Sequence, residues 1–210
     1  MAYAQESLET YLADAASNKP APGGGSVSAL TGALAASMSE MAANFTAGKK
    51  KYESVQAQVR QCLEHLQAAR QELLALVDAD VEAYEAVGRA YGMSKDTFEA
   101  KAARAEAIQA SLKSAMEVPL RIARQCRGVV LEAAELVGIA NPNLITDVGV
   151  SAILARAACE AARLNVEVNL KHIKDEQLVG RARPEVDEAV ETCARCCRDI
   201  TRAVGEHLSK

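Results

Sequence analysis

The sequence has no tryptophan, two phenylalanines and five tyrosines in 210 residues. Half of its residues are nonetheless apolar, and alanine dominates that half. Small apolar side chains of high helix propensity favour closely packed helices over sheets. An excess of positive charge is also missing. The formal net charge is −4, which gives no reason to expect nucleic acid or an anionic membrane as partner. A secretory leader is absent from the first residues: Glu6 and Glu9 interrupt the stretch 1–12, and no apolar segment forms there. The six cysteines are therefore expected as reduced thiols in the cytoplasm. No long hydrophobic run stands out. The least charged stretch, 26–47, holds Glu40, Asn44 and many Ser and Thr residues, and reads as a buried helix instead of a membrane span. No repeat is evident. The length suits a single domain over 1–210.

What is present centres on Pro20-Ala21-Pro22-Gly23-Gly24-Gly25-Ser26. Two prolines stop any helix running through, and three glycines let another group approach the backbone closely. Ser26 is read as the N-cap of the helix that follows, whose free N–H groups and positive dipole end would face one spot. A plain interhelical turn is the competing reading of so short a motif. The Gly-Lys-Ser/Thr ending of a nucleotide P-loop is missing, and no strand precedes the run.

Helical spacing organises the rest. A short helix is expected over 4–17, then one over 26–47 carrying the single charge Glu40. A helix so rich in small residues needs neighbours on nearly every side, which points to a central position or a subunit interface. Gly48 ends it, and Lys49, Lys50 and Lys51 follow, either as a solvated dipole cap or as a cluster awaiting a ligand carboxylate. A rod runs over 52–91, where Leu73, Leu76, Asp80, Tyr84, Val87 and Tyr91 step by three or four. Asp80 thus falls within an apolar stripe, and must be partnered or have a raised pKa. Asp78 is expected to face water. The next helix starts near Ser94, should kink at Pro119, and resumes over 120–137. Asn143 is a plausible N-cap for a helix over 144–176, with Asp147 in its first turn. That helix carries a polar and small stripe through Asp147, Ser151, Asn165, Asn169 and His172. Its amides either bridge helices or read a polar heterocycle. Gly180 and Pro184 bracket a break before a last helix over 185–208. Cys193, Cys196 and Cys197 share a face there, without a fourth ligand or a shaping turn for a metal. The fold class is all-α: an up-and-down bundle of long helices.

Five pieces in order now resemble one family: Pro20 to Ser26, then Gly48-Lys-Lys-Lys-Tyr52, then Asp80 with Tyr84, then Asn143 with Asp147-Val148, then Asn165-Val-Glu-Val-Asn169-Leu170. Together they are similar to the formimidoyltetrahydrofolate cyclodeaminase / methenyltetrahydrofolate cyclohydrolase family, over roughly 5–205. One departure is Thr146, where the family pattern carries Ser. The resemblance implies a helical homodimer with the folate site at or near the subunit interface, and chemistry without metal, nicotinamide or flavin. In animals such a domain is fused to a formiminotransferase. Here a formiminotransferase or a methylenetetrahydrofolate dehydrogenase is expected as a separate partner chain. Asp147 and Asp80 are then the catalytic candidates. Gly23, Gly24, Gly25 and Ser26 would admit a flat ring, Tyr84 and Asn143 would line the substrate site, and Asn165 and Asn169 would bond the pterin edge. Lys49 and Lys50, with Lys51, would meet the glutamate tail. The implied reaction is the closure of 5-formiminotetrahydrofolate to 5,10-methenyltetrahydrofolate with loss of ammonia. The alternative is the cyclohydrolase reaction at the same carbon. A helical scaffold without activity is the reading from another class, which the glycine run and the buried polar stripe disfavour.

Overall fold

The computed structural model describes residues 2–209. Six α-helices carry the fold: α1 (Leu8–Ala15), α2 (Gly24–Asn44), α3 (Gln56–Tyr91), α4 (Phe98–Ile139), α5 (Ile145–Leu170) and α6 (Glu176–Leu208). Short 3-10 turns at Tyr3–Gln5, Lys50–Val55 and Pro142–Leu144 join or precede them. Among the described residues there is no strand.

Consecutive long helices run antiparallel, as named contacts show. Arg121 and His65 reach Glu72 and Glu132 across the α3/α4 pair. Arg183 binds Glu167 and Arg163 binds Asp187 across the α5/α6 pair. On α2, Gly25 lies against Asp80 and Gly32 against Leu73, so α3 descends beside it. Helix α5 flanks α2 on its other side: Ser39 Oγ donates to Ser151 Oγ at 2.7 Å, which donates to the Ala35 carbonyl at 2.7 Å. The core between them is filled by Leu66, Leu73, Ile122, Val129, Val148 and Ile200, all essentially without solvent contact. Alanine and glycine on α2 let its neighbours come close. At Gly32 a Cβ would meet Cys126 Sγ and Leu73 Cδ2, each at 3.0 Å.

Several sequence expectations need correction. Helix α4 runs unbroken through Pro119. A proline deprives the carbonyl four residues earlier of its donor. That carbonyl, on Ala115, accepts from Asn169 Nδ2 at 3.4 Å, so a neighbouring helix supplies the missing bond. The last helix begins at Glu176, not 185, and contains both Gly180 and Pro184. These two residues are exposed, so the carbonyl freed there meets water. The true break is at 171–175, where Asp175 caps α6 by accepting from Leu178 N. Asn143 does not cap α5. Asn141 instead accepts from Asn143 N, one turn earlier. Helix α4 begins at Phe98, capped by Thr97, four residues after the start expected near Ser94. Asp78 is half-buried and accepts from Ala4 N. On the outer face of α2 in the single chain, Val27 and Leu34 are exposed.

Candidate active site

The glycine run forms the first turn of α2 instead of a loose cradle. Gly23 is the N-cap, with an extended backbone, and its carbonyl accepts from Val27 N at 3.0 Å. Ser26 is therefore inside the helix, not at its cap. Its backbone N–H is one of the free donors of a helix start. It donates to Asp80 Oδ2 at 2.9 Å. Asp80 thus reaches over from α3 and seats its carboxylate at the positive end of α2.

Gly25 makes that seat. A Cβ at this position would lie 2.0 Å from Asp80 Oδ1 and 2.5 Å from its Cγ. Only a hydrogen fits. Gly24 sits beside Asn165, whose Nδ2 is 3.4 Å from where a Cβ would be. Behind the seat, Ser26 Oγ and Tyr11 OH are paired at 3.0 Å, both buried. Tyr11 packs edge-on against Tyr3 at 5.7 Å between ring centroids. The Tyr3 hydroxyl binds Asp14 and donates to the Ala21 carbonyl at 3.2 Å. The N-terminal residues therefore brace the Pro/Gly turn.

A cavity of about 410 Å³ opens beside this turn. Asp80 stands in its wall with Gly23, Gly24, Tyr84, Asn165 and Asn169. Apolar surface comes from Val81, Val87, Leu112, Ala115 and Val168, and Tyr91 and His172 complete the lining. A small number of polar groups set in a mostly apolar hollow of this size is the usual character of a small-molecule site. Burial raises the pKa of Asp80, and the Ser26 N–H opposes that shift. Burial also raises the Tyr11 hydroxyl; its bond to Ser26 opposes this, and the nearby Asp80 charge adds to it.

The two asparagines are held from behind. Asn165 Nδ2 donates to the Ala161 carbonyl at 3.0 Å. Asn169 Nδ2 donates to the Asn165 carbonyl at 2.9 Å and to the carbonyl freed by Pro119. Their amide donors are thus engaged with backbone, and their oxygens remain as acceptors for ligand N–H groups.

The cavity gathers Gly23, Gly24, Asp80, Tyr84, Asn165 and Asn169, with Gly25 and Ser26 directly behind. It does not include Lys49, Lys50, Lys51, Asn143 or Asp147. These lie at the opposite end of α2 and α5, where Asn141 N donates to Thr46 Oγ1 at 2.8 Å. Asp147 precedes Asn165 by eighteen residues on one helix, a separation of about 27 Å. Tyr91 and His172 were missed as lining residues, although each continues a stripe already visible in the sequence. Leu112 and Ala115 carried no signal, being ordinary apolar positions on α4. Cys193, Cys196 and Cys197 are core residues of α6. Among the described residues, no three His, Cys, Asp or Glu side chains are grouped to hold a metal ion, and no helix is long and apolar enough to cross a membrane.

Comparison with known proteins agrees with this geometry. Residues 7–188 match the formiminotransferase-cyclodeaminase family. A methenyltetrahydrofolate cyclohydrolase from Methylorubrum extorquens is 46% identical over 171 residues, covering 81% of this chain and 82% of that protein. The formimidoyltransferase-cyclodeaminase of Sus scrofa is 33% identical over 184 residues, which are 88% of this chain and 34% of the pig protein. The chain thus spans about a third of that animal relative. The crystal structure of formiminotetrahydrofolate cyclodeaminase from Thermotoga maritima superposes with a TM-score of 0.87 at 31% identity, over 97% of this chain and 98% of the other. With its family match, its near-complete superposition and its seated carboxylate, the chain belongs to the formiminotransferase-cyclodeaminase family and is an enzyme of folate one-carbon chemistry.

Proposed function

We propose that the cavity beside Gly23 and Gly24 binds a reduced folate and that Asp80 moves protons at the carbon bridging its N5 and N10. The observation that carries this is the position of Asp80: a carboxylate of raised pKa, fixed by the Ser26 N–H, in the wall of an otherwise mostly apolar cavity. A buried carboxyl of raised pKa is suited to accept a proton and return it. In ring closure, N10 attacks the formimino carbon. Asp80 takes the N10 proton and passes it to the nitrogen of the protonated formimino group, which leaves as ammonia while the closed ring keeps the positive charge. The pterin lies between Tyr84 and the apolar wall, and its N–H groups meet the oxygens of Asn165 and Asn169. No oxidation state changes, so the chemistry needs no redox cofactor.

Two reactions use this arrangement. Cyclodeamination is the leading reading from the sequence, and it is the activity in the name of the Thermotoga relative. Hydrolytic opening of 5,10-methenyltetrahydrofolate is the second, favoured by the 46% identity to a cyclohydrolase matched over most of both chains. There Asp80 accepts a proton from the attacking water and returns it to N5 as the ring opens, and the second water proton is released to solvent as the formyl carbonyl forms. Ammonia release from 5-formiminotetrahydrofolate, run beside loss of the methenyl chromophore, separates them. Failure of both assays with a folded protein would overturn the proposal. The six buried thiols suit a reducing cytoplasm, and a formiminotransferase or a dehydrogenase activity would act before or after this enzyme. We take the active form to be a homodimer.

A further inference from the structure

We propose that Tyr11 is a positioning residue for the reaction: its ring closes the back of the seat in which Asp80 works and keeps water from reaching the carboxylate from behind. This inference rests on the role given to Asp80 above and specifies what holds that acid out of water.

Helix α1 buries a single side chain. Tyr11 is 4% exposed, whereas Leu8 and Leu12 on the same eight-residue helix are 70% and 63% exposed. So short a helix has little stability of its own. Polar contacts moor it and the residues before it. Ala4 N donates to Asp78 Oδ1 at 3.3 Å, two residues before Asp80 on α3. The Tyr3 hydroxyl joins Asp14 of α1 to the Ala21 carbonyl of the Pro/Gly turn.

Tyr11 does not line the substrate cavity. It lines a second hollow, of about 120 Å³, with Tyr3, Leu30, Leu74 and Val77. The exposed residues Glu6 and Leu8 form the outer rim of that hollow. The Tyr11 side chain spans from hollow to seat. Its ring meets Tyr3 edge-on at one side. At the other, its hydroxyl lies 3.0 Å from Ser26 Oγ, and Ser26 N donates to Asp80 Oδ2 at 2.9 Å. Ser26 has no solvent contact. Without the ring, the hollow would open into the seat and water would reach Asp80 from the rim. Burial is the cause that raises the pKa of Asp80, and Tyr11 supplies part of that burial.

The elements packed against Asp80 bring no rival charge. Helix α2 presents Gly25 and Ser26, α5 presents Asn165, and α1 presents Tyr11. On α3 itself Tyr84 lies one turn further on, and Asp78 is engaged by Ala4 N. Tyr91 and His172 are the other titratable side chains in the cavity lining.

The pH profile of kcat/KM tests the proposal on Tyr11→Ala, Tyr11→Phe and Val59→Ala. Val59 is fully buried on α3, about 32 Å before Asp80, and its truncation costs stability alone. A base must be ionised to accept a proton, so kcat/KM falls on the acid side as Asp80 takes one up. In Tyr11→Ala the midpoint of that fall should move to lower pH, and turnover should drop about 10-fold or more as the carboxylate loses its fixed seat. Tyr11→Phe keeps the ring and should keep the parent midpoint, at a lower melting temperature because Ser26 Oγ loses its partner. Val59→Ala should leave the midpoint in place. If Tyr11→Ala does not fold, Tyr11→Leu, which fills less of the space, replaces it. An unmoved midpoint in the folded variant, or an equal displacement in Val59→Ala, overturns the proposal. So does a fall that disappears in His172→Gln and therefore belongs to His172. A second measurement needs no substrate. The gain in melting temperature that Asp80→Asn brings at pH 8 should be smaller in Tyr11→Ala than in the parent, because water already reaches the carboxylate, and undiminished in Tyr11→Phe. An equal gain in all three backgrounds overturns the proposal. A parent without turnover on either folate would sink the folate reading, and the melting comparison would still decide whether Tyr11 shields Asp80.

Discussion

The Asp80 carboxylate occupies the space that a side chain on Gly25 would need, with Oδ1 only 2.0 Å from where that Cβ would stand. The glycine and the acid are one device: the bare main chain exists so that the carboxylate can sit against a helix start. Gly25→Ala should therefore push Asp80 off the Ser26 N–H. Turnover should fall about 100-fold, with stability lowered by about 1–3 kcal/mol. Gly24→Ala, whose Cβ would meet Asn165 at 3.4 Å, should stay within about 0.5 kcal/mol of the parent. Chemical denaturation and steady-state kinetics on the two variants provide the check.

Asp80→Asn should stabilise the protein while slowing it. Burial raises the folded-state pKa of Asp80 above its unfolded value of about 3.9. Its stabilising share is then complete below about pH 4 and is lost as the pH rises through the raised value. An amide carries no charge to desolvate. The melting temperature of Asp80→Asn should exceed that of the parent at pH 7–8, and the gap should close on acidification to about pH 4. A variant less stable than the parent at pH 8 would mean that the helix-start interaction outweighs desolvation.

Pro119 and Asn169 are coupled through the Ala115 carbonyl. Pro119→Ala would return a backbone donor to that carbonyl and release Asn169. The expected result is a helix no less stable, since proline in a helix interior costs up to about 3 kcal/mol. KM should rise severalfold because Asn169 loses one of its two anchors. An unchanged KM would separate Asn169 from substrate binding.

The buried Ser39–Ser151 pair locks α2 to α5. Ser151→Ala leaves the Ser39 hydroxyl without its partner and should cost about 1–3 kcal/mol. Adding Ser39→Ala should cost less than the sum of the two single changes. A double-mutant cycle by urea unfolding measures the difference, and strict additivity would deny the coupling.

What the sequence settled by itself was the all-helical class, the long antiparallel rods and the membership of Asp80, Tyr84, Asn165 and Asn169 in polar-bearing stripes. These rest on local periodicity, which a single helix fixes. It also marked the glycine run as a place of close approach without revealing what approaches. The residue that approaches Gly25, Asp80, lies 55 positions further on and was decided by packing. The helix expected to resume at 120 runs on through Pro119, with Asn169 supplying the bond that the proline removes. Likewise Asp147, on a polar and small stripe, and Asp80, within an apolar one, were both catalytic candidates. Only the antiparallel placement of α5 along α2 sent them to opposite ends of the molecule, because distance between helices is set by tertiary contact and leaves no period in the chain.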